Sequence, residues 1–371
     1  MTERPLVVFA AGGTGGHLFP ALAVADAIAR RRDDVDIAFY TTNRPIDSQI
    51  LAATDWSRIA QPIRPLPRTP LKFPQFLSGW VASHRLCRRA WRVRRPSVVV
   101  GTGGYGSLPP VRVARRFGVR RVLLNPDAIP GRANRYLGPH ADAVMVQWES
   151  TTSLFPRAGM VRVTGCPVRS AFQDGDRAAA AKRLELDPNR KTLLVTGASQ
   201  GARTINEAMI RLAETIARCD GWQILHLTGE LDLQRVRGVY LSAAVSGVAL
   251  PFCDAMADAI IAADLVVSRA GASTLAELSA VGRPAVLMPY PFGRDRHQTA
   301  NANELVERNA AVLIPDRIDP SDNAARLGPV LEALMADRDR LENMADAARA
   351  MGRPDAADEV AKDVLTLVNR R

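Results

Sequence analysis

The sequence predicts an α/β protein of two doubly wound, Rossmann-like domains facing a central cleft. Three observations carry this expectation. Short apolar, β-branched runs alternate with helical patterns, the signature of parallel sheets with helices on both faces. The alternation restarts near Lys191 with a fresh glycine-rich turn after a strand. At 371 residues, the chain is longer than one core usually serves.

In chain order, the strand candidates of the first half are Leu6–Ala11, Asp36–Thr41, Ser97–Gly101, Arg121–Leu124 and Ala143–Gln147. Those of the second half are Thr192–Thr196, Gln223–Leu227, Val248–Phe252, Leu265–Ser268, Pro284–Met288 and Ala311–Ile314. Helices are expected between them, among them Pro20–Arg31, Ala202–Arg218 and Ser273–Ala280. Asp355–Val368 reads as a final amphipathic helix able to cross back to the first domain. The expected domains are therefore residues 1–165 with 355–371, and residues 166–354, with the boundary around Thr164–Ser170. Ligands in such sheets bind beyond the carboxyl ends of the strands.

The net charge of +11 is unevenly spread. Residues 1–165 hold 24 Lys and Arg against 10 Asp and Glu, while the remainder holds 25 against 28. The basic first half implies an anionic partner: nucleic acid, acidic lipid or a phosphorylated substrate. Arg is used far more than Lys, but that bias does not explain the asymmetry. Cys87, Cys166, Cys219 and Cys253 are scattered without a CxxC pair, so neither a disulfide framework nor a zinc site is indicated, and a reducing cytoplasm is the simplest setting. The apolar run at Leu6–Ala11 passes straight into glycines, unlike a signal peptide, and no stretch approaches the roughly 20 apolar residues that span a bilayer.

Three glycine-rich loops follow strands and open helices: AGGTGGH (Ala11–His17), GTGGYGS (Gly101–Ser107) and TGASQGA (Thr196–Ala202). Without Cβ atoms, backbone N–H groups can reach an oxygen-rich ligand, and the helix N-terminus adds about half a positive charge. Any one of them is equally well a tight strand–helix turn; three in one chain are a stronger signal. None is followed by the GK[ST] of a Walker A motif, and the first is not GxGxxG, which disfavours a nicotinamide cofactor. His17 sits at a helix start, where it either caps the turn or acts as a general base or acceptor-orienting group. In RAGASTLAE (Arg269–Glu277), Glu277 either accepts both hydroxyls of a ribose or merely favours the helix dipole. In DRHQTANA (Asp295–Ala302), Gln298 and Asn301 share a face and can offer amides to sugar hydroxyls.

GGTGGHLFPALAVA, GTGGYGS, GASQGAR, SRAGASTLAE and DRHQTANA, in this order and spacing, resemble the MurG family of glycosyltransferases, of family 28 and GT-B type. The resemblance spans nearly the whole chain, and the RAGASTLAE and DxxQxxNA pair is its most specific part. It implies inverting transfer of N-acetylglucosamine (GlcNAc) from UDP-GlcNAc to the C4 hydroxyl of N-acetylmuramic acid (MurNAc) in undecaprenyl-pyrophosphoryl-MurNAc-pentapeptide (lipid I), giving lipid II for peptidoglycan. On the donor side it implies Thr14, Gly15, Gly16 and Arg169 near the nucleotide sugar, and Ser199 and Gln200 at the diphosphate loop. It also implies Phe252 and Cys253 against uracil, Ala272, Ser273 and Thr274 at the α/β-phosphate turn, Glu277 on the ribose, and Gln298 and Asn301 on GlcNAc. Gly13, Gly103, Gly104 and Tyr105 would receive the acceptor diphosphate. Helix N-termini and hydroxyl donors can carry the charge of departing UDP, and no DxD-like acidic pair is present, so no essential metal or other cofactor is expected.

The family's His-Glu-Gln-Asn segment is here Leu124, Asn125, Pro126 and Asp127. Asp127 is then either the base, an orienting group for His17, or the cap of a turn; His17 and Asp127 are the catalytic candidates. In Leu66–Arg95, Phe73, Phe76, Leu77, Trp80 and Val81 form an apolar stripe, and Arg85, Arg88, Arg89, Arg92, Arg94 and Arg95 follow. This suits either an anionic leaflet or an ordinary core helix with a solvated basic face. No nucleic-acid motif accompanies the charge. The expected partners are UDP-GlcNAc, lipid I and the anionic cytoplasmic face of the bacterial plasma membrane, met peripherally. The alternatives are another GT-B glycolipid glycosyltransferase, a UDP-GlcNAc 2-epimerase, or a catalytically inactive peripheral membrane homologue.

Overall fold

The computed structural model describes residues 4–67, 69–173, 175–197, 201–292 and 296–369. The chain divides into two compact units: residues 1–169 with 353–371, and residues 170–352.

The first unit is built on a seven-stranded parallel sheet. Its strands are β1 (Leu6–Ala10), β2 (Asp36–Thr41), β3 (Ser57–Ala60), β4 (Val98–Gly101), β5 (Arg120–Asn125), β6 (Ala143–Val146) and β7 (Val161–Val163), in the order β3-β2-β1-β4-β5-β6-β7. The second unit has β8 (Lys191–Thr196), β9 (Trp222–Leu227), β10 (Gly247–Leu250), β11 (Leu265–Ser268), β12 (Ala285–Leu287) and β13 (Ala311–Leu313), in the order β10-β9-β8-β11-β12-β13. Each sheet therefore reverses its winding once, between β1 and β4 and between β8 and β11. The four loops leaving these strands carry AGGTGGH, GTGGYGS, TGASQGA and RAGAST.

The period-two alternation of a pleated strand divides β1 between two cores. Val7 and Phe9 join Ile28, Phe39, Val100 and Leu124 on one face, while Val8 and Ala10 join Tyr40, Trp91, Val99 and Leu123 on the other. On the second face, Trp91 Nε1 donates to Tyr40 OH at 3.0 Å, and burial pushes the Tyr40 phenol up to about 12. The helix Ala356–Asn369 packs along the helix Gly15–Arg31, and its Val360, Val364 and Val368 complete the first core. Arg31 reaches Asp358 at 3.1 Å and Arg162 meets Glu359 and Asp363. These pairs are half-exposed and orient the helix more than they stabilise it.

Four expectations shift. The edge strands β3 and β7 are absent from the sequence reading; both are short and carry an Arg (Arg58, Arg162), which hides their period. The first helix begins at Gly15, five residues before Pro20, so Pro20 lies inside it. The segment 202–218 is two helices, Arg203–Arg211 and Ala213–Ala217, separated at Leu212. Finally, β10 ends at Leu250, because Pro251 has no N–H to continue a ladder; Phe252 is left in the following loop.

In the second unit His226, on β9, is fully buried. Its Nδ1 meets Tyr240 OH at 2.8 Å and its Nε2 meets Asn206 Oδ1 at 3.0 Å. Burial drives the imidazole down to about 3. Between about pH 6.5 and that value an unfolded chain binds a proton here that the native state does not, so stability falls as pH falls. We expect a loss of about 1.4 kcal/mol per pH unit below pH 6.5 from this group. Urea unfolding from pH 7 to 5 should show a shallower pH slope in His226→Gln than in the parent chain.

Candidate active site

The first glycine loop is shaped by the protein's own side chains. Asp47, in the first turn of the helix Pro45–Ala52, is fully buried. Gly13 N–H donates to its Oδ1 and Oδ2 at 2.8 and 3.0 Å, Thr42 N–H donates to Oδ2 at 3.0 Å, and the Thr42 hydroxyl donates to Oδ2 at 2.5 Å. Arg44 Nη1 holds the carbonyl of Gly13 at 2.7 Å. A Cβ on Gly12, whose φ is +132°, would stand 2.5 Å from Asp47 Oδ2, so only glycine fits. One on Gly13 would meet the Tyr105 ring at 3.4 Å. The Gly13 N–H thus points at a buried carboxylate.

Thr14 is the N-cap of the helix beginning Gly15-Gly16, and its Oγ1 hydrogen-bonds His17 Nδ1 at 3.0 Å. The second loop closes on the same imidazole. Gly103 and Gly104 have φ of +93° and +68°; Cβ atoms there would lie 3.4 Å from His17 Nε2 and 3.1 Å from His17 Cε1. Next to them, Asn134 Nδ2 donates to the carbonyl of Leu124 at 2.9 Å and to Asn125 Oδ1 at 3.0 Å, while Asn125 Nδ2 donates to the carbonyl of Asp127 at 2.8 Å. The amides of Asn125 and Asn134 therefore interlock and fix the turn carrying Asp127. Burial pushes the His17 imidazole below its ordinary value, and Asp127, then Asp47, partly offset that shift. The ring is neutral at pH 7, the form that accepts a proton. The structure brings His17, Asp127, Thr14, Gly103, Gly104 and Tyr105 together in the first unit.

In the second unit, Ser199 and Gln200 lie outside the described residues. Gly201, with φ of +71°, passes so near the carbonyl of Thr228 that a Cβ would collide with it. The helix Ala272–Val281 starts with Ala272, Ser273 and Thr274 and places Glu277 on its second turn, half-buried. The guanidinium of Arg269, immediately before it, is nearly buried. Its Nη1 donates to the carbonyl of Met288 at 2.9 Å and to Asp316 Oδ2 at 2.7 Å, and its Nη2 donates to Thr204 Oγ1 at 2.7 Å. Burial raises Asp316, but hydrogen bonds from Thr204, Asn323, the Ile318 N–H and Arg269 outweigh it and hold the carboxyl below its ordinary range. This one ion pair joins the loops after β11, β12 and β13 to the helix Arg203–Arg211.

Gln298 Oε1 accepts from Tyr290 N–H at 2.8 Å. Asn301 has no exposed surface, and its Nδ2 donates to the carbonyl of Ala270 at 3.3 Å. Asn301 thereby ties its helix to the loop before Ala272. Phe252 is half-exposed and Cys253 is buried. Arg169 belongs to the first unit, where its guanidinium lies over the Phe19 ring at 4.7 Å.

The stripe lies on the helix Phe73–Val93. Leu71 is 91% exposed just before it, and Phe73, Leu77 and Val81 are also exposed. Phe76 and Trp80 are half-buried and run in an aromatic row with Phe73 and His84. Arg85, Arg88 and Arg89 are exposed. Burial lowers the His84 imidazole; the Trp80 carbonyl opposes this, while Arg112, Arg116 and Arg88 add to it, so arginines of two helices gather beside the aromatic row. Among the described residues, no helix is long and apolar enough to cross a membrane, and no cluster of three or more His, Cys, Asp or Glu could hold a metal ion.

Residues 7–146 match the glycosyltransferase family 28 N-terminal domain, and residues 192–360 match the glycosyltransferase family 28 C-terminal domain. A curated relative from Desulforamulus reducens is 35% identical over 373 residues, covering 98% of this chain and 99% of its own length. The chain belongs to glycosyltransferase family 28. That relative is named UDP-N-acetylglucosamine--N-acetylmuramyl-(pentapeptide) pyrophosphoryl-undecaprenol N-acetylglucosamine transferase. A relative of the same name from Desulforudis audaxviator is 37% identical over 375 residues, with 98% and 99% coverage. Among solved structures, Acinetobacter baumannii MurG is similar with a TM-score of 0.76 at 25% identity, covering 98% of this chain and 99% of that one. The two sheets are thus the two Rossmann-like domains of the GT-B fold.

In this family 28 chain, the residues missed from sequence are those that hold loops: Asp47, Arg44, Thr42, Asn134, Thr204 and Asp316. An acidic residue in the first turn after β2 was the available signal for Asp47, and it reads equally well as a dipole-favouring side chain. The Arg269–Asp316 pair yields a test. Removing one member of a buried pair strands the other's charge, at a cost of about 3–5 kcal/mol. Asp316→Ala should lower urea stability by that amount, and Arg308→Ala, at an exposed i,i+4 pair with Glu304, by less than about 1 kcal/mol.

Proposed function

We propose that this chain transfers GlcNAc from UDP-GlcNAc to the C4 hydroxyl of MurNAc in undecaprenyl-pyrophosphoryl-MurNAc-pentapeptide, with inversion at the anomeric carbon. The observation that carries the reading is the full-length likeness, at 35% and 37% identity, to relatives bearing that transferase name. Residues 170–352 serve the donor. Phe252 stacks on uracil with the backbone of Cys253 beside it, Glu277 accepts the ribose hydroxyls, and the first turn at Ala272, Ser273 and Thr274 faces the diphosphate. As the family resemblance implies, Ser199 and Gln200 act at the diphosphate, Gln298 reaches the sugar, and Arg169, Thr14, Gly15 and Gly16 act near the nucleotide sugar.

The acceptor is served by the first unit, with Gly103, Gly104 and Tyr105 at its diphosphate. His17 is the base. As the C4–O–H bond breaks, its proton passes to the neutral imidazole and the oxygen attacks the anomeric carbon. The bond from that carbon to the phosphate oxygen breaks with its electron pair leaving on UDP. The positive end of the helix Ala272–Val281 and the hydroxyls of Ser273 and Thr274 stabilise that charge, so the step needs no metal. Asp127 favours the imidazolium as it forms.

Turnover of UDP-GlcNAc with a short-chain lipid I analogue in EDTA tests the reading. UDP release with formation of the β-linked disaccharide is expected, and His17→Ala should lower kcat about 10²- to 10⁴-fold. Absence of turnover that Mg²⁺ restores would refute the metal-free step, and absence under both conditions would refute the reaction.

The exposed apolar stripe and its arginines dock on an anionic leaflet, where the lipid-linked acceptor resides. Sedimentation with phosphatidylglycerol vesicles should be strong at low salt, weaker at high salt, and reduced in Phe73→Ser/Leu77→Ser. Equal binding to neutral vesicles at all salt concentrations would exclude the electrostatic part.

A further inference from the structure

Asp47 stands outside every motif of the sequence, yet it is the most enclosed charge near the proposed base. A buried carboxylate ordinarily demands a cationic partner or a full set of hydrogen bonds. Here the set comes from the glycine loop and the end of β2: Gly13 N–H, Thr42 N–H and the Thr42 hydroxyl. Arg44 takes the opposite pole of the loop through the Gly13 carbonyl. The next residue, Thr14, hydrogen-bonds His17. A continuous line of contacts therefore runs from Asp47 through Gly13 and Thr14 to the imidazole. Gly12 is kept free of a side chain so that the carboxylate can approach.

We propose that Asp47 is a positioning residue for the proton transfer: it fixes the Gly13 peptide so that Thr14 meets His17, and its charge favours the imidazolium that forms. The proposal rests on the reading of His17 as the base. Four ionisable or charged groups bear on this loop from the surrounding elements. Asp127 comes from the turn after β5, Asp47 from the helix Pro45–Ala52, Arg44 from the residue before that helix, and Tyr105 from the helix Gly104–Arg116. Asp47 and Asp127 both raise the imidazole against the effect of burial. A base works only when unprotonated, so kcat rises with pH through the value for His17. Removing a neighbouring negative charge must move that acid limb to lower pH.

The test compares full-length Asp47→Asn, Asp47→Glu, Thr42→Val and His17→Ala with the parent chain. The readouts are kcat against pH, KM for both substrates, and UDP affinity by calorimetry. Asp47→Asn should keep UDP affinity within about twofold, lower kcat about 10- to 100-fold and shift the acid limb downward. Asp47→Glu and Thr42→Val keep the charge and should leave the limb in place even where kcat falls; they also serve if Asp47→Asn does not fold. A limb unmoved in Asp47→Asn, or moved equally in Asp47→Glu or Thr42→Val, overturns the proposal. Parent-like turnover in His17→Ala overturns the underlying assignment of the base, whatever Asp47 does.

Discussion

A crossover between adjacent parallel strands is right-handed, and the placement of every chemical group in this molecule depends on that constraint. In each sheet the chain winds one way from the central strand (β1 or β8), then must restart on the other side (β4 or β11). The two connections leave the restart point in opposite directions and cannot cover it. The carboxyl ends of β1 and β4, and of β8 and β11, are the places where ligands of such sheets bind. The glycine-rich segments occupy those four strand ends.

What happens at each restart differs in charge. In the second unit the nearby carboxylate, Asp316, is consumed by Arg269 and a ring of donors, so the helix at Ala272 presents its positive pole with little opposition. In the first unit the Asp47 carboxyl accepts from uncharged donors, and its field raises the His17 imidazole against burial. One fold thus yields a site suited to an anion and a site suited to an emerging cation. Proton removal from a hydroxyl and departure of a nucleotide pyrophosphate require those two environments.

The sequence disclosed the winding of both domains because each inner strand carries an apolar, β-branched run, such as LVVFA in β1 and VVVG in β4. Edge strands such as Ser57–Ala60 and Val161–Val163 face solvent on one side, tolerate Arg and lose their signature. The glycine loops were legible as close approaches, but not what approached. Gly12 yields to a carboxylate and Gly13 to a tyrosine ring, both from distant positions in the chain. Asn301 shows the same limit: its amide donates to the carbonyl of Ala270, 31 residues earlier, a tie that no local pattern announces. Long-range ties of this kind have no local pattern, since each partner is an ordinary polar residue of a turn.

The return of the helix Ala356–Asn369 to the first sheet makes the second unit an insertion within the first. Val360, Val364 and Val368 seal a core whose other walls come from residues 7–145. On a translating ribosome, the earlier-made half must wait with that apolar flank uncovered while the inserted half is synthesised and closes on itself. The order of maturation is therefore inverted relative to the order of synthesis, and the half bearing the glycine-bound carboxylate is the one exposed to chaperones longest.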